Sequence, residues 1–314
     1  MRGRYPGTAR PISTITSGVT LSAFTRQTTV TADGHRGGRY LTTLSEIWNC
    51  PLVPHGGLVT ATALRAVETE LAVPEQPLRS VSTVFAGQVR PGPVEIDVTV
   101  LRRGRSMSQA TATIRNVDET AGHSLIAVFG ASRPGFEFTD VSMPAVPRPS
   151  ECASFRDPLP ADVEGDRIKF NLWDYVEGRP ALGHAPWDDY IPESSDRAAW
   201  YRFDEPPMLD DGRLDPLALV TLCDTMPGAV GERVGRSSRS WLPPSADLTV
   251  HVLGDARSEW VLGHNRARFA GDGYASVEIM LWDELGTLVA YGTQMMFFSF
   301  PDGPPSPEER RPRV

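Results

Sequence analysis

Apolar residues recur at intervals of three and four through Leu58, Ala61, Leu64, Val67 and Leu71, a stripe that predicts an amphipathic helix. Ahead of it lies Trp48-Asn49-Cys50-Pro51-Leu52-Val53-Pro54-His55-Gly56-Gly57, a loop that opens that helix. Downstream the period changes to two. Residues 94–101 alternate apolar and polar, as a half-buried strand does. A β-rich run at 80–85 precedes it, and strands at 108–114 and 124–131 follow, separated by turns at Arg103-Gly104 and 118–122. Upstream, two polar-apolar segments between residues 24 and 44 flank Ala32-Asp33-Gly34 and predict a hairpin.

Residues 133–166 lose any sustained period and are punctuated by Pro134, Pro144, Pro158 and Pro160, which reads as a linker. Then the order returns. A strand is predicted around 198–203, a turn at Asp210-Asp211-Gly212, and a helix over 217–226 that Asp215 caps and Pro216 starts. Strands follow near 246–252, 259–269, 273–282 and 287–299, with turns at Gly271-Asp272-Gly273 and at 283–286. Ala110-Thr-Ala-Thr-Ile114 parallels Ala275-Ser-Val-Glu-Ile279, and Leu58-Val-Thr-Ala-Thr62 parallels Leu217-Ala-Leu-Val-Thr221. Matching segments in a matching order predict a duplication. The expected organisation is a disordered N-terminus at 1–20, one unit at 21–132, the linker at 133–166, a second unit at 167–300 and a disordered, Pro-rich and charged tail at 301–314.

Composition narrows the functions. The chain has 314 residues, 40% hydrophobic and 22% charged, enough for two cores. A formal charge of −8 argues against a nucleic-acid surface. The absence of a long apolar run or polybasic helix argues against a membrane. Cys50, Cys152 and Cys223 are far apart and suggest neither a disulfide framework nor a zinc site. No metal or other cofactor is expected. Residues 1–17 hold Arg2, Arg4 and Arg10 but no apolar core of a secretory signal, so a cytoplasmic location is expected.

Particular residues then carry a resemblance. Trp48 with Pro54-His55-Gly56-Gly57, Arg90-Pro-Gly-Pro93, Leu222-Cys223-Asp224-Thr225, Ser245-Ala-Asp-Leu-Thr-Val250 and Val289-Ala-Tyr-Gly-Thr-Gln294 resemble, in order, segments of the TesB-like acyl-CoA thioesterases. The likeness covers roughly residues 24–299. It implies an α+β double hotdog, two tandem helix-wrapped antiparallel units forming one continuous sheet. It also implies hydrolysis of an acyl-CoA thioester by water activated by an Asp–Gln–Thr/Ser set. By position these are Asp224, Gln294 and Ser245, with Thr249 as the alternative hydroxyl.

The residues can be weighed without the family. Asp224 follows Val220 by four and Leu217 by seven on a helix apolar nearly all round. A carboxylate there must be hydrogen-bonded or raise its pKa, as a general base requires, or else turn back to cap the following turn. Gln294 lies in an apolar strand, where an amide can orient water or pair across strands. Ser245 can bind the same water or end its loop. His55, Gly56 and Gly57 form a candidate substrate-binding turn, because glycines admit close approach and a helix N-terminus favours a carbonyl oxygen or anion. The plainer reading of the same residues is a tight loop-to-helix turn. Arg65 stands where the first helix matches Asp224, so the halves differ chemically. Glu68 and Glu70 read as solvated helix charges, and His184, His251 and His264 as structural residues without partners. No Gly-x-Ser-x-Gly elbow suggests an acyl-serine enzyme.

The expected function is an acyl-CoA thioesterase acting on the coenzyme A ester, with a homo-oligomer formed through the sheets. Two rivals remain: an acyl-binding protein without activity, and a hotdog enoyl hydratase or dehydratase, which needs an Asp and a His together near a helix start.

Overall fold

The computed structural model describes residues 21–158, 170–185, 188, 190–235 and 240–306. The expected disorder at 1–20 and at 307–314, and part of the linker at 159–166, lie outside the described residues.

The first half runs α1 (Ala23–Thr28), β1 (Thr31–Ala32), β2 (Arg39–Leu44), α2 (Gly56–Leu71), β3 (Leu78–Phe85), β4 (Gly92–Arg103), β5 (Met107–Asn116) and β6 (His123–Gly130). The second runs β7 (Val176–Leu182), β8 (Arg197–Phe203), α3 (Pro216–Cys223), α4 (Pro227–Val234), β9 (Asp247–Val252), β10 (Val261–Gly271), β11 (Tyr274–Asp283) and β12 (Leu288–Phe297). All twelve strands form one sheet, in the order β1-β2-β4-β5-β6-β3-β9-β12-β11-β10-β8-β7. The halves join where β3 pairs antiparallel with β9, Ser82 opposite Thr249 and Thr83 opposite Leu248. Helices α2 and α3 pack against each other and lie on one face of this sheet. The main core runs through both halves, from Leu58 and Leu64 of α2 to Leu217 and Val220 of α3 and on to Val250 and Ile279 of the sheet.

Local chemistry sets the helix ends. Asp215 caps α3, its Oδ1 accepting the Leu217 N–H at 3.0 Å, with Pro216 at the first helical position. Helix α2 ends where Ala72 turns left-handed at φ 49° and returns its N–H to the Glu68 carbonyl.

Two expectations are corrected and one strand is added. The segment before Ala32 is not the first arm of a long hairpin: Ser22 caps a short helix, α1, and only Thr31–Ala32 pairs with β2. The helix expected over 217–226 stops at Cys223, and Pro227 starts a separate α4. Strand β7 escaped notice because Gly178 and Pro180 look like breakers, yet an edge strand tolerates Pro. The Phe155 ring occupies the space a side chain at Gly178 would take.

Residues 131–158 contain no strand, and they strap the second half. Pro147 accepts the Trp200 indole N–H at 2.9 Å, and Arg156 holds Asp204 with two bonds of 3.0 Å. Met143, Val146 and Cys152 cover a small second core around Trp200, Leu262 and Trp282.

Candidate active site

The N-terminus of α2 meets the C-terminus of α3. Helix α2 starts after His55, which gives it no side-chain cap. Asp224, immediately after α3, supplies one from the other half, its Oδ2 accepting the Gly57 N–H at 2.8 Å. This places the positive end of the α2 dipole on the carboxylate. In return His55 Nε2 donates to the Asp224 main-chain carbonyl at 3.0 Å, satisfying an acceptor left over at the helix end. The same nitrogen is 3.7 Å from Oδ2.

The two glycines make this approach possible. A Cβ on Gly56 would lie 2.8 Å from Asp224 Oδ2 and 3.1 Å from the Phe85 ring. One on Gly57 would lie 2.9 Å from both Asp224 Cβ and the Thr221 carbonyl oxygen. What comes close to Gly56-Gly57 is therefore the end of α3 with Asp224, and the Phe85 ring of β3.

The other carboxylate oxygen, Oδ1, accepts from Gln294 Nε2 at 2.7 Å and from the Ser245 hydroxyl at 3.4 Å, and Gln294 Nε2 also contacts Ser245 Oγ. A carboxylate only accepts, so the Gln294 amide must turn its NH₂ toward Asp224. Its Oε1 is buried without a partner. Strand alternation excludes one of the two candidate hydroxyls. Leu248, Val250 and Gln294 share the buried, helix-facing side, whereas Thr249 faces outward and bonds Ser82 at 3.0 Å. Ser245 precedes β9 and reaches inward, bridging to Met296. Asp224, Ser245 and Gln294 thus converge, with Asp224 9% and Gln294 2% exposed, and Thr249 does not join them.

The neighbourhood is buried. Burial, and after it the nearby Asp224, pushes the Cys50 thiol up to about 12 and the Cys223 thiol up as well. On the strand pair facing Gly56, the Phe85 ring meets the His123 ring edge-on at 4.5 Å. Burial lowers His123 to about 3. The sequence reading missed Cys50, Phe85 and His123, since nothing in their spacing links them to Asp224. Among the described residues no group of three or more His, Cys, Asp or Glu side chains could hold a metal ion.

The duplicated position is closed by charge. Arg65, matching Asp224, bonds Asp215 at the N-terminus of α3 and Glu68 at 2.7 Å. Glu68 is thus a paired, part-buried charge rather than a fully solvated one: burial, opposed by Arg65 and reinforced by Asp215, raises it to about 7. Glu70 accepts the Tyr40 hydroxyl at 2.7 Å. Two of the histidines read as lacking partners also have them: His184 bonds Glu232 at 2.6 Å and His264 bonds Asp196 at 2.5 Å.

Comparison with known proteins agrees with this architecture. The family profile described as the acyl-CoA thioesterase N-terminal domain matches residues 44–130, and that of the acyl-CoA thioesterase C-terminal domain matches residues 149–298. A search of curated proteins gave no match. Among solved structures, a hot dog fold protein of unknown function from Alicyclobacillus acidocaldarius is 25% identical with a TM-score of 0.74, covering 90% of this chain and 100% of its own. A putative thioesterase II from Thermobifida fusca is 20% identical with a TM-score of 0.74, covering 90% and 99%. The acyl-CoA thioesterase II TesB2 of Mycobacterium marinum is 20% identical with a TM-score of 0.69, covering 90% and 100%. The last two share the fold, which is the double hotdog.

Proposed function

This chain belongs to the TesB-like acyl-CoA thioesterase family, and we propose that it hydrolyses acyl-CoA thioesters by water that Asp224 activates. One observation carries the reading: the Asp224 carboxylate is held by Gly57, Gln294 and Ser245 yet keeps acceptor capacity. A carboxylate has about four acceptor positions. The free one, with the unpartnered Gln294 Oε1, can hold a water. Asp224 takes the water proton as the oxygen bonds to the thioester carbon. First-turn N–H groups of α2 other than that of Gly57, which Asp224 takes, stabilise the oxyanion. The C–S bond then breaks, and the proton on Asp224 passes to the departing thiolate, leaving acid and CoA.

His55 beside Asp224 favours a second reading, a hydratase acting on an enoyl thioester. Against it, His55 already donates to a main-chain carbonyl. Free-thiol release from acyl-CoAs of several lengths decides. Thiol release that Asp224→Asn abolishes supports hydrolysis. Loss of the enoyl double bond without thiol release supports hydration, and binding without either supports an acyl-binding protein without activity.

The reading extends to a cytoplasmic protein, in keeping with three unpaired cysteines. No described helix is long and apolar enough to cross a membrane. It extends also to a homo-oligomer, which exposed apolar residues such as Ile126, Val84 and Phe269 on the sheet support.

A further inference from the structure

Buried polar atoms that lack a partner in a folded protein call for an explanation. Two of them lie on the inner face of the sheet, beyond the catalytic set and inside the first half. Thr83 is 1% exposed and its Oγ1 has no partner; His123 is 7% exposed and its Nδ1 has none.

Register ties both to the site. Thr83 pairs with Leu248 of β9 and with Leu125 of β6. On the other side of β9, Thr249 pairs with Thr293, which sets Gln294 beside Leu248. Thr83 and Gln294 therefore share one row of the buried face, two strand spacings or roughly 10 Å apart. In the next row His123 pairs with Phe85, whose ring faces Gly56, itself against Asp224. The neighbouring side chains on that face are apolar: Leu125, Leu248 and Phe85. Burial keeps the His123 imidazole uncharged, so it can donate or accept one hydrogen bond without carrying charge into the core.

On the thioesterase reading, on which this rests, we propose that Thr83 and His123 form a polar subsite for an oxygen on the acyl chain. The preferred substrates are then hydroxyacyl or oxoacyl thioesters, rather than unsubstituted fatty acyl thioesters of the same length. The acyl arm is favoured over the pantetheine arm because both groups are deeply buried, whereas coenzyme A carries charged phosphates that must reach solvent.

The experiment compares kcat/KM for matched pairs of acyl-CoAs, unsubstituted or hydroxylated from the third carbon outward. The probes are tested on the full chain and on Thr83→Val and His123→Leu. Thr83→Val is nearly isosteric, so it keeps the test open if His123→Leu fails to fold. The expected result is a preference for one hydroxylated series, falling about tenfold in Thr83→Val, as loss of one buried hydrogen bond gives. An equal loss for both series would place the groups on the pantetheine arm and overturn the proposal. So would an unchanged ratio, the result expected if they only hold structural water. Absence of thiol release from every acyl-CoA would instead overturn the thioesterase reading itself.

Discussion

Asp224 and Gly57, residues of different halves, are joined by a hydrogen bond of 2.8 Å that makes one carboxylate both helix cap and candidate base. The two roles can be separated. Asn caps a helix about as well as Asp but cannot take a proton from water. The Gln294 amide can rotate to present its oxygen to the new NH₂ group. Asp224→Asn should therefore fold normally while kcat falls by about 10²–10⁴, read by thiol release alongside thermal unfolding. Activity near wild type would remove Asp224 from the mechanism.

Gly57→Ala tests the approach of the helices. The added Cβ would meet Thr221 Cα at 3.0 Å and its carbonyl oxygen at 2.9 Å, backbone atoms that cannot swing aside. Overpacking of this kind costs about 1–3 kcal/mol. It should also pull Asp224 away from Gln294. A lower Tm with a lower kcat is expected; unaltered values for both would show that the helix ends have slack.

A second carboxylate in the site should act through its charge. Gln294→Glu would place an acid against Asp224 Oδ1, where the amide now stands at 2.7 Å. Two such carboxylates cannot both ionise easily, so one is raised. The acid limb of the pH–rate profile should move to higher pH, and Gln294→Ala should lower kcat without that move. Matching profiles for the two variants would argue against contact between the side chains.

Acid stability should reflect His123. Burial lowers it from an ordinary 6.5 to about 3. Between these values the unfolded chain binds a proton that the folded one refuses, so stability falls as pH drops. His123→Gln removes this term and should gain about 3 kcal/mol relative to wild type at pH 4, with no such relative gain above pH 7. Denaturant melts at both pH values measure it. A gain independent of pH would assign the effect to packing.

Much of this arrangement was legible from periodicity. The three-four stripe of Leu58 to Leu71 gives α2, the alternation at 94–101 gives β4, and Asp215-Pro216 fixes where α3 begins. Where α3 ends was not legible, because Thr225 and Met226 suit a helix as well as a turn. The difference matters, since stopping at Cys223 frees Asp224 to reach the other half. Strand alternation could have excluded Thr249, had the inward register of β9 been known, but not chosen Ser245, which lies before the strand; that register is fixed by pairing with β3, a contact between halves. The partnership of Asp224 with Gly57 and His55 spans well over a hundred residues of chain, and no local pattern encodes it.

The same reasoning applies to the duplicated position, where Arg65 stands in place of the acid and ties Asp215 to Glu68. Asp215 is 3% exposed, so Arg65→Leu leaves a buried carboxylate with its helix-cap hydrogen bond but no charge partner, which costs roughly 3 kcal/mol. Arg65 also restrains Glu68, whose carboxyl burial raises from 4.5 to about 7. A carboxyl raised on folding favours the folded state at low pH and loses that contribution as pH climbs through its folded value. Without Arg65 the value rises further, so the destabilisation of Arg65→Leu should grow from pH 5 to pH 8. Because Arg65 is two turns along α2 from Gly57, kcat below the melting range should stay within about threefold. A tenfold fall in kcat with the fold intact would mean that the closed half takes part in turnover, and the chain would not be a one-site enzyme.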